Sequence, residues 1–252
     1  MNQEYTCKVI KRVMLTSDTA YLTIGCDDIA GRAVPGQFVN VSCSGFLKRP
    51  FGIASVDKVN GTFCIGIKIV GEGTKELASI EEGSTINVLG PLGNGFDLRV
   101  SDSFILVSGG TGVFPVNFAY ETLRDSGKKV TMVQGFRDKS QVCLTCDDYI
   151  VTTDSGDYGI KGTCIAGLDT LSPDDNTVVC CVGPIPMMKA VGNWAKDRGL
   201  RCYISMEQRM ACGIGICLVC VCKVKAEEEG IPFNHVRCCK DGPVFDFEEV
   251  IL

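Results

Sequence analysis

Between Arg209 and Lys223 the chain reads RMACGIGICLVCVCK, which spaces Cys212, Cys217 and Cys220 as C-x4-C-x2-C. Further on, RCCKDGPVF offers Cys238 and Cys239. Thiolates are soft donors, and three in a tight loop with a distant fourth is the plant-type [2Fe–2S] spacing. Gly213 and Gly215 fit this chemistry, because a chain wrapping a cluster must turn tightly and bring N–H groups near the sulfurs. A structural zinc site would more usually show two C-x2-C knuckles, and this segment holds only one. A disulfide pair does not suit a reducing compartment. Plain buried cysteines are the remaining alternative, since a free thiol packs like a small apolar group. The spacing points to a [2Fe–2S] cluster on Cys212, Cys217 and Cys220, with Cys222, Cys238 and Cys239 competing for the fourth position.

Three other stretches could hold a ligand. In VSGGTGVFP, residues Gly109, Gly110, Thr111 and Gly112 close a buried strand just before a helix. Such a turn lets backbone approach a phosphate, and the helix N-terminus favours its charge. It is not a full G-x-G-x-x-G. In CVGPIPMM, Gly183 and Pro184 read equally well as a ligand contact at a strand end and as a helix start with proline in its first turn. In KRPFGIAS, Arg49 offers a positive fork for a pyrophosphate. Gly71, Gly73 and Thr74 of GEGT read as a compact turn whose N–H groups and hydroxyl could hold phosphate oxygens, though the residues alone favour a hairpin turn beside a surface arginine. The acidic pairs at 27–28, 147–148 and 174–175 read as solvated loop charges. The single histidine, His235, reads as a surface residue, so the chemistry moves from histidine acid–base catalysis toward cofactors.

These residues need elements to position them. Up to about residue 98 the chain reads as β: YTCKVIKRVML, AYLTIGC, QFVNVSC, FGIASV, TFCIGIKIV and TINVLG are separated by turn signals, as in a closed antiparallel barrel or sandwich. From 99 to 205 strands alternate with helices: FILVSGG, the helix VFPVNFAYETLRDSG, KKVTMVQG, YIVTTD, TVVCCVGP, the helix PIPMMKAVGNWAKDRG, and RCYISM. That alternation predicts a parallel sheet covered on both faces. Residues 206–252 form the cysteine-rich unit. The expected architecture is thus a β-barrel, an α/β domain and a small cluster domain.

The chain has 252 residues, 45% hydrophobic and 22% charged, enough for one large domain or two to three small ones. Its net charge is −5 and it has no basic run, which argues against nucleic acid. With neither an apolar signal core nor a run of membrane-spanning length, a cytoplasmic protein is expected. Sixteen cysteines are many for such a chain. Cys7, Cys26, Cys43, Cys64, Cys164 and Cys202 lie among apolar residues and read as inert core thiols.

Taken end to end, these motifs resemble the ferredoxin–NADP reductase superfamily, and within it the electron transfer subunits of two-component, NAD-dependent dihydroorotate dehydrogenases of type B. KRPFGIA resembles the flavin motif R-R-P-x-S-I, GEGT the pyrophosphate turn, SGGTGVFP the nicotinamide-domain loop, and VTTDSGDYGIKG the stretch T-D-D-G-S-x-G-x-K-G. SMEQRMACGIGICLVCVCK and RCCKDGPVF resemble the cluster segment and are the most specific. The resemblance implies FAD contacts at Arg49, Pro50, Phe51 and Gly52, at Gly66, Ile67 and Lys68, and at Gly73 and Thr74. It implies a nicotinamide-binding loop at Gly109 to Gly112, and NAD(H) contacts are expected there and at Gly183 and Pro184. It implies Cys239 as fourth ligand, because the family's cysteine stands two places before the Asp of DGPVF. The implied partner is an FMN-containing dihydroorotate dehydrogenase subunit in a heterotetramer of two of each chain, with electrons running from dihydroorotate through FMN, cluster and FAD to NAD+. The sequence departs from the family at Lys48 (usually Arg), at Thr111 (often Gly) and at Gly52 (usually Ser, whose hydroxyl lies near flavin N5). Those departures leave open the same relay serving a hydrogenase, sulfide dehydrogenase or ferredoxin:NADP oxidoreductase. A third alternative is a zinc-binding, non-catalytic interaction protein. Arg137 could meet the 2′-phosphate of NADP or lie free on the surface, and the resemblance favours NAD.

Overall fold

The computed structural model describes residues 3–226, 228 and 230–252. The first segment builds β1 (Gln3–Thr16), β2 (Thr19–Gly25), α1 (Asp27–Arg32), β3 (Phe38–Val41), β4 (Arg49–Asp57), β5 (Thr62–Lys68), α2 (Glu72–Ala78) and β6 (Thr85–Leu92). The six strands close in the order β1-β2-β5-β4-β3-β6, all neighbours antiparallel. Alternation explains the closure. Leu22, Ile24, Val39, Val41, Ile53, Phe63, Ile65, Ile67 and Val88 point inward and are fully buried, so each strand has one apolar face to hide. Closing the sheet also leaves no free edge.

The middle segment supplies β7 (Ser103–Gly109), α3 (Val113–Asp125), β8 (Lys129–Phe136), β9 (Ile150–Thr153), β10 (Ile160–Lys161), α4 (Cys164–Leu168), β11 (Val178–Val182), α5 (Ile185–Lys196) and β12 (Arg201–Ser205). The strands are parallel in the order β10-β9-β8-β7-β11-β12. β11, VVCCV, is buried throughout, as a central parallel strand covered on both faces must be. Its residues alternate between two cores. Val178 and Cys180 pack with Val116, Ala119, Tyr120 and Leu123 of α3, while Val179 and Cys181 pack with Met188, Val191 and Trp194 of α5.

The cysteine-rich segment contributes β13 (Val221–Val224), β14 (Asn234–Arg237), β15 (Val244–Asp246) and β16 (Val250–Ile251). β14, β13 and β16 form a small antiparallel sheet. β15 leaves that unit and pairs antiparallel with β12, as the seventh strand of the large sheet. Among the described residues no helix is long and apolar enough to cross a membrane.

GEGT differs from the compact turn expected. Gly71 caps α2, and Gly73 and Thr74 lie in its first turn. The Thr74 hydroxyl accepts from the N–H groups of Val70 and Gly71 at 2.9 and 3.1 Å and donates to the Gly71 carbonyl. It therefore ties down the helix start and is not free for a phosphate. The scattered cysteines also divide. Cys7, Cys164 and Cys202 are buried as expected, whereas Cys26, Cys43 and Cys64 are partly exposed.

Candidate functional site

β7 and β11 are adjacent, but the chain leaves them in opposite directions across the sheet, toward β8 and toward β12. The carboxyl ends of two such strands are where open α/β sheets hold ligands. The glycines there have steric reasons. A Cβ on Gly112 would lie 2.2 Å from the Val182 carbonyl oxygen, and one on Gly109 would lie 2.4 Å from Met187 Sδ. Gly183 is pinched by the same Met187 Sδ at 2.8 Å. Gly110 has φ +54° in the short 3-10 turn that leads into α3. Around them opens a cleft of about 710 Å³, lined by Gly109, Gly110, Thr111, Gly183 and Pro184, with Arg137 and Asp154 on its wall.

A second cleft, of about 390 Å³, lies against the barrel and is lined by Arg49, Pro50, Phe51, Gly52, Gly66, Lys68 and Thr74. Arg49 is held by donation from Nη1 to the Leu47 carbonyl at 2.7 Å. A Cβ on Gly73 would lie 2.9 Å from Arg49 Nε, so Gly73 serves the cleft by letting the guanidinium pack over α2. Ile67 is fully buried in the barrel core and leaves the cleft wall to its neighbours Gly66 and Lys68. Gly66 lies under the ring of Phe114, and Gly52 under the ring of Pro115. Helix α3 thus packs its first turn onto the barrel.

The two clefts share three residues: Lys68, Thr111 and Glu207. Lys68 pairs with Asp18 at 3.5 Å. Glu207 stays open to solvent through the clefts, yet the surrounding protein desolvates it enough to push its carboxyl pKa up. Phe114 and Pro115 lie in SGGTGVFP and Glu207 in the cysteine-rich segment, but neither motif marks them as walls of the barrel cleft. Only the convergence of barrel, sheet and C-terminal segment brings them together.

The cysteine loop has its own logic. Gly213 and Gly215 have φ of +71° and +85°, and Leu218 is left-handed at +59°. These turns direct N–H groups at sulfur. Ile214 and Cys217 donate to Cys212 Sγ at 3.5 and 3.4 Å, and Cys212 donates to Cys217 Sγ at 3.5 Å. Burial works to raise the Cys212 pKa, but these backbone donors outweigh it and bring the thiol down to about 6. Cys220 and Cys239 make a second pair, with the Cys239 N–H donating to Cys220 Sγ at 3.4 Å. Burial, then the hydrogen bond and charge of Cys220, push the Cys239 thiol up to about 12, a strain that a bound cation would relieve.

Among the described residues no three His, Cys, Asp or Glu side chains are grouped closely enough to hold a metal ion. Two sulfur pairs, with Cys212 drawn toward thiolate by its backbone donors, fit a two-iron group. Of the rivals for the fourth position, Cys238 is fully buried and donates its thiol to the Met206 carbonyl at 3.0 Å, and Cys222 packs in the core with burial raising it to about 11. His235 lies exposed on β14, its ring edge-on to Phe233.

Two family models match the chain. Residues 207–251 match the family model for the iron-sulfur cluster binding domain of dihydroorotate dehydrogenase B, and residues 6–96 match the oxidoreductase FAD-binding domain. The chain is 36% identical over 223 residues to the dihydroorotate dehydrogenase B (NAD(+)), electron transfer subunit of Caldanaerobacter subterraneus subsp. tengcongensis, covering 86% of this chain and 87% of that one. It is 34% identical over 265 residues to the subunit of the same name from Bacillus mycoides, covering all of both. Among solved structures, a chain from the study "Insights into flavin-based electron bifurcation via the NADH-dependent reduced ferredoxin-NADP oxidoreductase structure" superposes with a TM-score of 0.86 at 28% identity, covering 98% of this chain and 90% of that one.

Proposed function

Since the chain belongs to the family of dihydroorotate dehydrogenase B electron transfer subunits, we propose that it relays electrons between NAD(H) and an FMN-bearing partner subunit that oxidises dihydroorotate to orotate for pyrimidine synthesis. The reading places it in the cytoplasm, in a heterotetramer of two of each chain. It is carried by one adjacency: a cleft at the carboxyl end of a parallel sheet and a cleft on a β-barrel share Lys68, Thr111 and Glu207, so groups held in each would be neighbours.

The FAD would exchange an electron pair with NAD(H) as hydride, and the [2Fe–2S] cluster would pass electrons singly. The chain's own residues bind and orient. Arg49 supplies positive charge for a pyrophosphate, and the strand β4 backbone from Pro50 to Gly52 forms the wall beside it. Gly109, Gly110 and Thr111, with the start of α3 behind them, offer backbone N–H groups to the dinucleotide, while Gly183 and Pro184 form the facing lip. Arg137 lies on the same wall, where it would meet the adenosine end. Cys212, Cys217, Cys220 and Cys239 would hold the cluster.

Cys217→Ser is the test. The variant should lose the cluster's visible and EPR signals, keep FAD, and still accept electrons from NADH onto FAD, yet deliver none to the partner. Delivery at the wild-type rate would refute the relay. The superposition at a TM-score of 0.86 also favours a second reading, in which the same relay serves a ferredoxin:NADP oxidoreductase type of complex. Anaerobic capture of the chain from its own cells, with the partner identified by mass, separates the two.

A further inference from the structure

We propose that Asn40 is a tuning residue for the cluster, donating its side-chain N–H to a cluster sulfur across the boundary between barrel and cysteine loop. This rests on the loop holding a [2Fe–2S] cluster. Asn40 stands on β3 between Val39 and Val41, whose side chains fill the barrel core, so its own amide points outward from the barrel. It is nevertheless 1% exposed, because the cysteine loop covers it. Its Nδ2 lies so close to Gly213 that a Cβ there would sit 2.1 Å away, and Gly213 directly follows Cys212.

Neither Nδ2 nor Oδ1 has a hydrogen-bond partner among the described residues. An amide buried without a partner is costly, and an apolar side chain of the same size would avoid the cost. A strong acceptor at the loop would give the Nδ2 donor its partner. The backbone donors there are already committed between Cys212 and Cys217, and Asn40 adds one from the barrel side.

The position also couples the two cofactor sites. In the β3–β4 register Asn40 pairs with Pro50, which lines the barrel cleft. One residue pair therefore separates the cleft wall from the cysteine loop. A donor to cluster sulfur strengthens as the sulfur gains negative charge on reduction, so it raises the reduction potential.

The experiment is an EPR-monitored redox titration of the holoprotein and of Asn40→Leu, with iron, sulfide and FAD contents measured alongside. Leu should lower the reduced-to-oxidised ratio of the cluster about tenfold at fixed poise, a shift of about 59 mV to more negative potential for one electron. Cluster content and the FAD potential should not move. An unchanged cluster potential at full content would overturn the proposal, as would equal shifts in cluster and FAD. If Asn40→Leu fails to load iron, pulsed EPR on the reduced wild-type protein grown with 15N-asparagine decides, with Asn40→Ser to assign the signal. A weak nitrogen coupling lost in the Ser variant supports the bond, and its absence in wild type refutes it. A wild-type protein without iron and sulfide would overturn the cluster reading itself, and the Asn40 assignment with it.

Discussion

Replacing Gly52 by serine, the residue usual in the family, should damage this protein. A Cβ at position 52 would stand 2.8, 3.0 and 3.1 Å from Cβ, Cγ and Cδ of Pro115. Ordinary contacts of this kind lie at 3.4–4 Å. The proline ring is rigid and anchored in the first turn of α3, so no rotamer change clears it. Either β4 or the helix must retreat by several tenths of an ångström. Overpacking of this kind costs about 1–3 kcal/mol. For a chain of this size each kcal/mol lowers Tm by about 2–4 °C, so a fall of roughly 2–12 °C is expected. The retreat also widens the barrel cleft at the wall proposed to hold flavin, so FAD should be released earlier on heating. Thermal melts followed by FAD fluorescence and by circular dichroism, at equal cofactor loading, measure both effects. If Gly52→Ser melts and releases FAD like the wild type, the barrel-to-helix spacing is not set by this contact and the steric reasoning fails.

Further expectations follow from neighbouring residues. A Cβ on Gly66 would fall within 2.2–2.3 Å of three ring atoms of the buried Phe114, so Gly66→Ala should be destabilised. In a denaturant-unfolding cycle the double variant with Phe114→Ala should cost less than the sum of the singles, and strict additivity would contradict the clash. Glu207 has its pKa raised by desolvation, so its ionisation weakens the fold as pH climbs above the unfolded value of about 4.3. Glu207→Gln should accordingly melt higher than wild type at neutral pH and match it in acid, and a pH-independent gap would argue against desolvation. Asp18 behaves oppositely: the Thr16 hydroxyl, then Thr19 and Lys68, hold its carboxyl below the usual range. Its stabilisation is present above about pH 3.9 and fades as pH falls through the lowered folded value. Asp18→Asn should therefore be less stable than wild type near neutrality, with the two curves converging in acid melts.

How much of this was readable in the residues depended on whether a signal was local. The six barrel strands and the central parallel strands announce themselves through alternation and through runs such as VVCCV, because each strand's burial is set by its own pattern. The cysteine spacing was equally legible, and C-x4-C-x2-C needed no tertiary information. Short helices were not. α1 and α2 have six and seven residues, include glycines, and are held by burying Ile29, Ala30, Leu77 and Ala78 against the barrel rather than by intrinsic propensity. Glu207 and Asn40 look like ordinary polar residues beside apolar neighbours. Their roles come from surfaces that meet only after three segments have folded together. Gly52 was visible as a departure from the family, but its cause, the Pro115 ring, lies 63 positions away in sequence.

The placement of β15 bears on what happens when iron is scarce. Without it, β12 would present Arg201–Ser205 as an unpaired edge, a template for strands of other molecules. The strand that caps this edge follows Cys239 by five residues, tethered to the same loop the metal would organise. The cap on the edge and the cysteine loop are therefore tied by a short tether. If disorder in that loop reached β15, the chain would uncover an adhesive edge, so the expected cost of failing to load iron is self-association.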